Sequence, residues 1–153
     1  MTRFFLSLGS NINPQINIPA AMQVLRESFT VRKISSVYET QPVGPAGKDN
    51  FWNLAVEIET TIDRTSLVKR LRDIETQLGR KRNPADKYAP RTIDIDLLPQ
   101  PGYQKQAFIM LPLAEIAPQA RDSATGENFS EIAERLRLQA SSFRKVALNS
   151  DCL

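Results

Sequence analysis

Histidine is absent from this 153-residue sequence, and cysteine occurs once, at Cys152, next to the last residue. The first absence excludes an imidazole base, an imidazole metal ligand and a Ser–His triad. The second excludes an internal disulfide and a cysteine-based zinc cluster, and a catalytic thiol is not expected on a terminus that frays. Aromatic residues make up only 7%, and no apolar run approaches the length of a membrane span. The opening "MTRFFLSLGSNINP" has too short an apolar run for a signal peptide and no small-residue cleavage site, so a cytoplasmic protein that does not bind membrane is expected. Repeats, low-complexity tracts and linkers are also lacking, which points to a single domain over 1–153 with a sizeable core. Lysine and arginine outnumber the acids by only 20 to 17, for a net charge of +3. That excess suits a polyanionic small ligand such as a nucleotide as well as nucleic acid. Chemistry is left to carboxylates, lysine, arginine, hydroxyls or a metal ion.

What is present has a clear period. Phe4, Leu6 and Leu8 alternate with Phe5 and Ser7, and "GSN" then breaks the run, which reads as strand followed by turn. Ala21, Val24 and Leu25 give helical spacing between Ile18 and Phe29, and Val31 to Tyr38 reads as a second strand. Residues 40–50 form a loop. In "FWNLAVEIET" the core face is Trp52, Leu54, Val56 and Ile58, with Phe51, Asn53, Ala55 and Glu57 opposite. Leu67, Leu71, Ile74 and Leu78 predict a helix that Gly79 stops and Asp63 or Thr65 caps. A basic loop from Arg80 to Pro90 leads into the strand "RTIDIDLL". A short segment "FIMLPLAEIAP" and a helix from Ser130 to Leu136 follow. The order β-α-β-β-α-β predicts an α+β fold, a ferredoxin-like sandwich with an antiparallel sheet and helices on one face. The other face is then left to hold a site.

Asp94 and Asp96 carry the strongest chemical signal. Two residues apart on a strand, they point the same way at roughly 6.5–7 Å and repel. A divalent cation between them would make the pair favourable, and magnesium is commonly held by one or two carboxylates plus substrate phosphates. The preceding loop, "GRKRNPADKYAPR", supplies Arg80, Lys81, Arg82, Lys87 and Arg91, and guanidinium groups meet phosphate oxygens bidentately. Such a pair beside such a loop fits phosphoryl or nucleotidyl transfer. The plainer reading of the loop is a solvated basic turn. By contrast, "GPAGKD" lacks the phosphate-loop spacing and its Ser or Thr. Phe51 and Trp52 lack the company of an RNA-binding aromatic motif, and by parity Phe51 is the stacking ring while Trp52 is core.

"SLGSN", "YETQPVGP", "FWNLAVEIET", "IETQLGRKR" and "APRTIDIDLL", in that order and spacing, resemble the 6-hydroxymethyl-7,8-dihydropterin pyrophosphokinase family of folate biosynthesis. The resemblance covers residues 3 to about 98 and resumes at 108–118. It implies transfer of the β,γ-pyrophosphate of ATP to the pterin hydroxymethyl oxygen, with AMP released and two magnesium ions bound with ATP. It implies Asp94 and Asp96 as metal ligands, and Arg80 and Arg91 as the catalytic cations on the ATP phosphates. Further ATP contacts would come from Arg72, Glu75, Arg82 and Tyr88. Phe51 and Phe108 would sandwich the pterin, with Asn53, Thr40 and the backbone at Val43 reading its edge. A monomer that binds ATP and pterin rather than nucleic acid is expected.

The chain also departs from that pattern. Only residues 97–107 separate Asp96 from Phe108, where the family usually has a strand pair and a P-H-x-x-x-x-x-R run that closes over ATP. Gln106 stands about where the arginine belongs, Arg72 replaces a common glutamine, and "NPAD" lengthens the basic loop. The alternative is therefore a catalytically weak or substrate-shifted pterin- or nucleotide-binding paralogue. A nucleic-acid module on the same topology is a third reading.

Overall fold

The computed structural model describes residues 1–40, 51–79 and 92–146. Two long strands, β1 (Thr2–Ser10) and β4 (Phe51–Thr60), pair antiparallel from Thr2 opposite Thr60 to Ser10 opposite Trp52. On the far side of β1 lies β5 (Asp94–Leu98), and on the far side of β4 lie β2 (Thr30–Ile34) and β3 (Val37–Thr40). A short β6 (Arg144–Val146) pairs with β3. The sheet is antiparallel throughout, in the order β5-β1-β4-β3-β6 with β2 also on β4. This is the expected α+β arrangement.

Helices α1 (Pro14–Ser28) and α2 (Arg64–Gln77) cover one face. Leu6, Leu8, Leu54, Val56 and Ile58 from the strands meet Ile18, Met22 and Leu25 of α1 and Leu67, Leu71 and Ile74 of α2, all fully buried. Burial of each such aliphatic side chain stabilises by about 1.5–3 kcal/mol. Asp63 caps α2 by accepting from the Ser66 amide at 2.8 Å, and Gly79 ends it at φ 90°, a conformation other residues rarely adopt. The sequence pattern places α1 one turn late: Pro14 at its first position presets the helical φ.

The second face is not left bare. Helices α3 (Ala107–Ile116) and α4 (Phe129–Leu136) pack Met110, Leu113, Phe129 and Ile132 against Ala55 and Leu98, with Phe5 edge-on to Phe129 at 6.0 Å. Helices thus lie on both faces, and a site must occupy the part of this face that α3 and α4 do not reach. The sequence hid α3 because "AFIMLPLAEI" is apolar nearly all round and Pro112 sits inside it, which blurs the helical period.

Two further readings change. Gly9 and Ser10 are strand rather than turn, since both pair with β4. The single strand expected from Val31 to Tyr38 is two, because four residue steps from Ile34 to Tyr38 face three steps from Val56 to Asn53. This β-bulge is pinned at Ser35, whose amide donates to the Ala55 carbonyl at 2.9 Å and whose Oγ accepts from the Ala55 amide at 2.8 Å. After it, Tyr38 and Thr40 lie on the same face as Asn53 and Phe51.

Candidate active site

Register assembles the site. Asp94 lies beside Gly9, which lies beside Asn53, and Asp96 lies beside Ser7, which lies beside Ala55. Because period-2 neighbours share a face, both aspartates, Asn53 and Phe51 stand on one side of the sheet, as their parity predicts. Thr40 joins them opposite Phe51. Its Oγ1 accepts from Asn53 Nδ2 at 3.0 Å, which orients the carboxamide and turns Oδ1 toward Gly9. A Cβ on Gly9 would lie 2.8 Å from that Oδ1, so only glycine admits the amide in this pose.

A cavity of 390 Å³ opens here, walled by Phe51, Asn53, Thr40 and the two aspartates on the sheet side and by Tyr103, Gln106 and Phe108 opposite. Phe108, in the first turn of α3, is one of the residues lining this cavity. A second hollow of 310 Å³ lies between α2 and β5, lined by Arg64, Val68, Leu71, Arg72 and Glu75. Those five residues recur at helical spacing along one face of α2. Asp94, Asp96, Gln100 and Pro101 border both hollows. The carboxylate pair is the common wall.

Electrostatics at that wall are strained. Burial, the Asp94 charge and then the Glu75 charge push the Asp96 carboxyl up to about 7, partly offset by a hydrogen bond from the Gln100 side chain. A divalent cation would supply the missing positive charge, and two hard oxygen donors open to a cavity suit magnesium. The residues present therefore fit a metal ion. Among the described residues no cluster of three or more carboxylate or sulfur ligands could hold one without help from a bound substrate.

Glu75, for which the resemblance implies a nucleotide contact, borders the second hollow and also meets the backbone of β5. It is buried, and its Oε2 accepts the Ile95 amide at 2.7 Å, bracing β5 between the two aspartates. Arg72 also borders the second hollow. Arg80, Arg82, Tyr88 and Arg91, with Val43, lie outside the described residues.

Four residues at the site escaped the sequence reading. Gly9 carried a usable signal, since glycine inside a strand marks close approach of another group. Gln100 carried one too: Pro99, Gln100 and Gln106 keep the spacing of the P-H-x-x-x-x-x-R run, with amides in place of both functional residues. Ser7 and Tyr103 carried none, because strand parity alone marks Ser7 only as facing away from Leu6 and Leu8. Tyr103 is buried in a short 3-10 turn, and its hydroxyl donates to Asp122 at 2.8 Å.

Comparison with known proteins agrees with this geometry. Residues 5–118 match the family described as 7,8-dihydro-6-hydroxymethylpterin-pyrophosphokinase (HPPK). The 2-amino-4-hydroxy-6-hydroxymethyldihydropteridine pyrophosphokinase of Bacillus subtilis is 34% identical over 154 residues, covering 90% of this chain and 91% of that protein. The protein of the same name from Methylorubrum extorquens is 37% identical over 135 residues, covering 77% of this chain and 84% of its own. Among solved structures, wild-type HPPK-DHPS of Plasmodium falciparum superposes with a TM-score of 0.77 at 12% identity, covering 95% of this chain but 44% of the longer one. At that identity the likeness is one of fold, and the chain spans under half the length of that protein. Family match, close relatives and the paired hollows agree: the chain belongs to the HPPK family.

Proposed function

We propose that this chain transfers pyrophosphate from ATP to the hydroxymethyl group of 6-hydroxymethyl-7,8-dihydropterin, the reaction for which its relatives are named, in folate biosynthesis. One observation carries the reading: two hollows of different character meet at a single carboxylate pair. The first holds a flat ring between Phe51 and Phe108, offering the Asn53 carboxamide to the ring's edge, where an Oδ1 acceptor suits an amino or ring N–H. The second offers apolar Val68 and Leu71 beside Arg72, which suits a nucleoside with its phosphates directed at the aspartates.

Catalysis of this kind is mostly positioning and charge neutralisation. The pterin oxygen attacks the β-phosphorus, the bond from that phosphorus to the α,β-bridging oxygen breaks, and AMP leaves with the bridging oxygen. The attacking hydroxyl loses its proton to solvent or a neighbouring carboxylate. Asp94 and Asp96 would hold magnesium, which supplies charge stabilisation for the triphosphate; two ions accompany ATP in this proposal. Phe51 and Phe108 exclude water from the ring faces, and Gly9, Thr40 and Asn53 fix its rotation. The chain acts as a cytoplasmic monomer in this reading. Among the described residues no helix is long and apolar enough to cross a membrane.

Incubation with ATP, magnesium and the hydroxymethylpterin, followed for AMP, tests the proposal. Matched amounts of AMP and diphosphorylated pterin are expected, at a rate that falls to background with chelator. Tight pterin binding with no AMP would refute it.

A further inference from the structure

Arg64, the first residue of α2, donates to three successive carbonyls where the chain leaves β5. Nη1 reaches the Leu98 oxygen at 3.1 Å, and Nη2 reaches those of Leu97 at 3.4 Å and Pro99 at 2.7 Å. The next residue is Gln100, which borders both hollows together with Asp96. Three turns along the same face of α2, Glu75 takes the Ile95 amide. Among the described strands β5 is an edge of the sheet, and outward groups of an edge strand otherwise go to water. One helix therefore braces the aspartate strand at two points, an acid taking an N–H and a guanidinium gathering carbonyls. Successive carbonyls diverge in extended chain, so gathering three requires a bend that a planar, multi-donor group can hold and an ammonium cannot.

We propose that Arg64 is a positioning residue for the transfer reaction, holding the exit of β5 so that Gln100 stays in place beside the aspartates at the junction of the two hollows. This inference rests on the function proposed above. Gln100 is the group that touches the reacting region, and Arg64 acts through it. The role is distinct from direct contact with nucleotide, which Arg64 could otherwise make from the rim of the second hollow.

Steady-state kinetics of Arg64→Ala, Gln100→Ala and the double variant separate these roles. Arg64→Ala is expected to lower kcat by about tenfold to a hundredfold, the scale of losing a group that orients a reacting one. KM for ATP should stay within about twofold, and the double variant should be no worse than the poorer single one, because the two act in series. Arg64→Lys should recover little of the loss. Wild-type kcat in Arg64→Ala, losses that multiply in the double variant, full recovery by lysine, or a raised KM for ATP with kcat intact would each overturn the proposal. Arg64 is exposed at the helix start, so the variants should fold; should alanine fail, Arg64→Gln gives the same readings. A second readout does not need turnover. The Gln100 side-chain amide should give a distinct NMR resonance in the wild type and move toward the solvent-averaged position in Arg64→Ala. An unmoved resonance refutes the brace even if the wild type released no AMP, an outcome that would overturn only the function.

Discussion

Asp96→Asn should make the metal-free protein more stable at neutral pH while abolishing transfer. The wild-type carboxyl sits near 7 because it is buried beside Asp94 and Glu75. The folded chain therefore binds that proton more tightly than the unfolded chain, whose carboxyl titrates near 4. Stability from this group is fully present below about pH 4 and is lost as pH rises through 7. The span between those two values corresponds to roughly 4 kcal/mol, which partial exposure and solvent screening reduce to about 2 kcal/mol. With no histidine in the chain, no imidazole contributes between pH 5 and 8. Urea unfolding in chelator should show wild-type stability falling by about 1 kcal/mol from pH 5 to 8, the rest of the loss lying below pH 5, or about 3 °C in Tm for a chain of this size. Asp96→Asn removes the charge but keeps the shape, so its profile should be nearly flat and lie above wild type at pH 8. Added magnesium should raise the wild type most at pH 8, where the pair is ionised, and leave the variant unmoved. A variant less stable than wild type at pH 8, or one keeping the wild-type slope, would refute the reasoning.

Gly9→Ala places a methyl 2.8 Å from Asn53 Oδ1; calorimetry should show pterin affinity lowered by about tenfold, with binding of a non-hydrolysable ATP analogue unchanged. Tyr103→Phe removes the donor to buried Asp122, and denaturant unfolding should show a loss of about 1–2 kcal/mol with the activity retained in the folded fraction.

Much of this arrangement could be read from the residues, for reasons that differ by element. Helix α2 was legible because Leu67, Leu71 and Ile74 follow the helical period and both ends carry local signals in Asp63 and Gly79. The shared face of Asp94, Asp96, Phe51 and Asn53 followed from parity, because β4 and β5 each run without a bulge. Helix α3 was illegible for the opposite reason: a segment buried nearly all round has no polar face to set its phase. The bracing of β5 by Glu75 and Arg64 was not legible because each bonds to backbone twenty or more residues away, and main-chain partners leave no trace in side-chain spacing.

The bulge at Ser35 makes the active site sensitive to chain length as well as to composition. Between Ile34 and Tyr38 the count of residues decides which side chains reach the pterin cavity. Removing either serine would leave three residue steps against three, erasing the bulge while Tyr38 and Thr40 keep their face, whereas an added residue must be absorbed by a wider bulge or shift Val37 toward the cavity and Thr40 into the core. The turn from Asp122 to Gly126, which closes on itself through Gly126 N to Asp122 O, has no such phase to keep beyond its own geometry. Lengthening there alters a surface connection, so inserted tags or labels belong at that turn, and insertions near Ser35 should weaken pterin binding more than a one-residue deletion that lets the strand pair straight through.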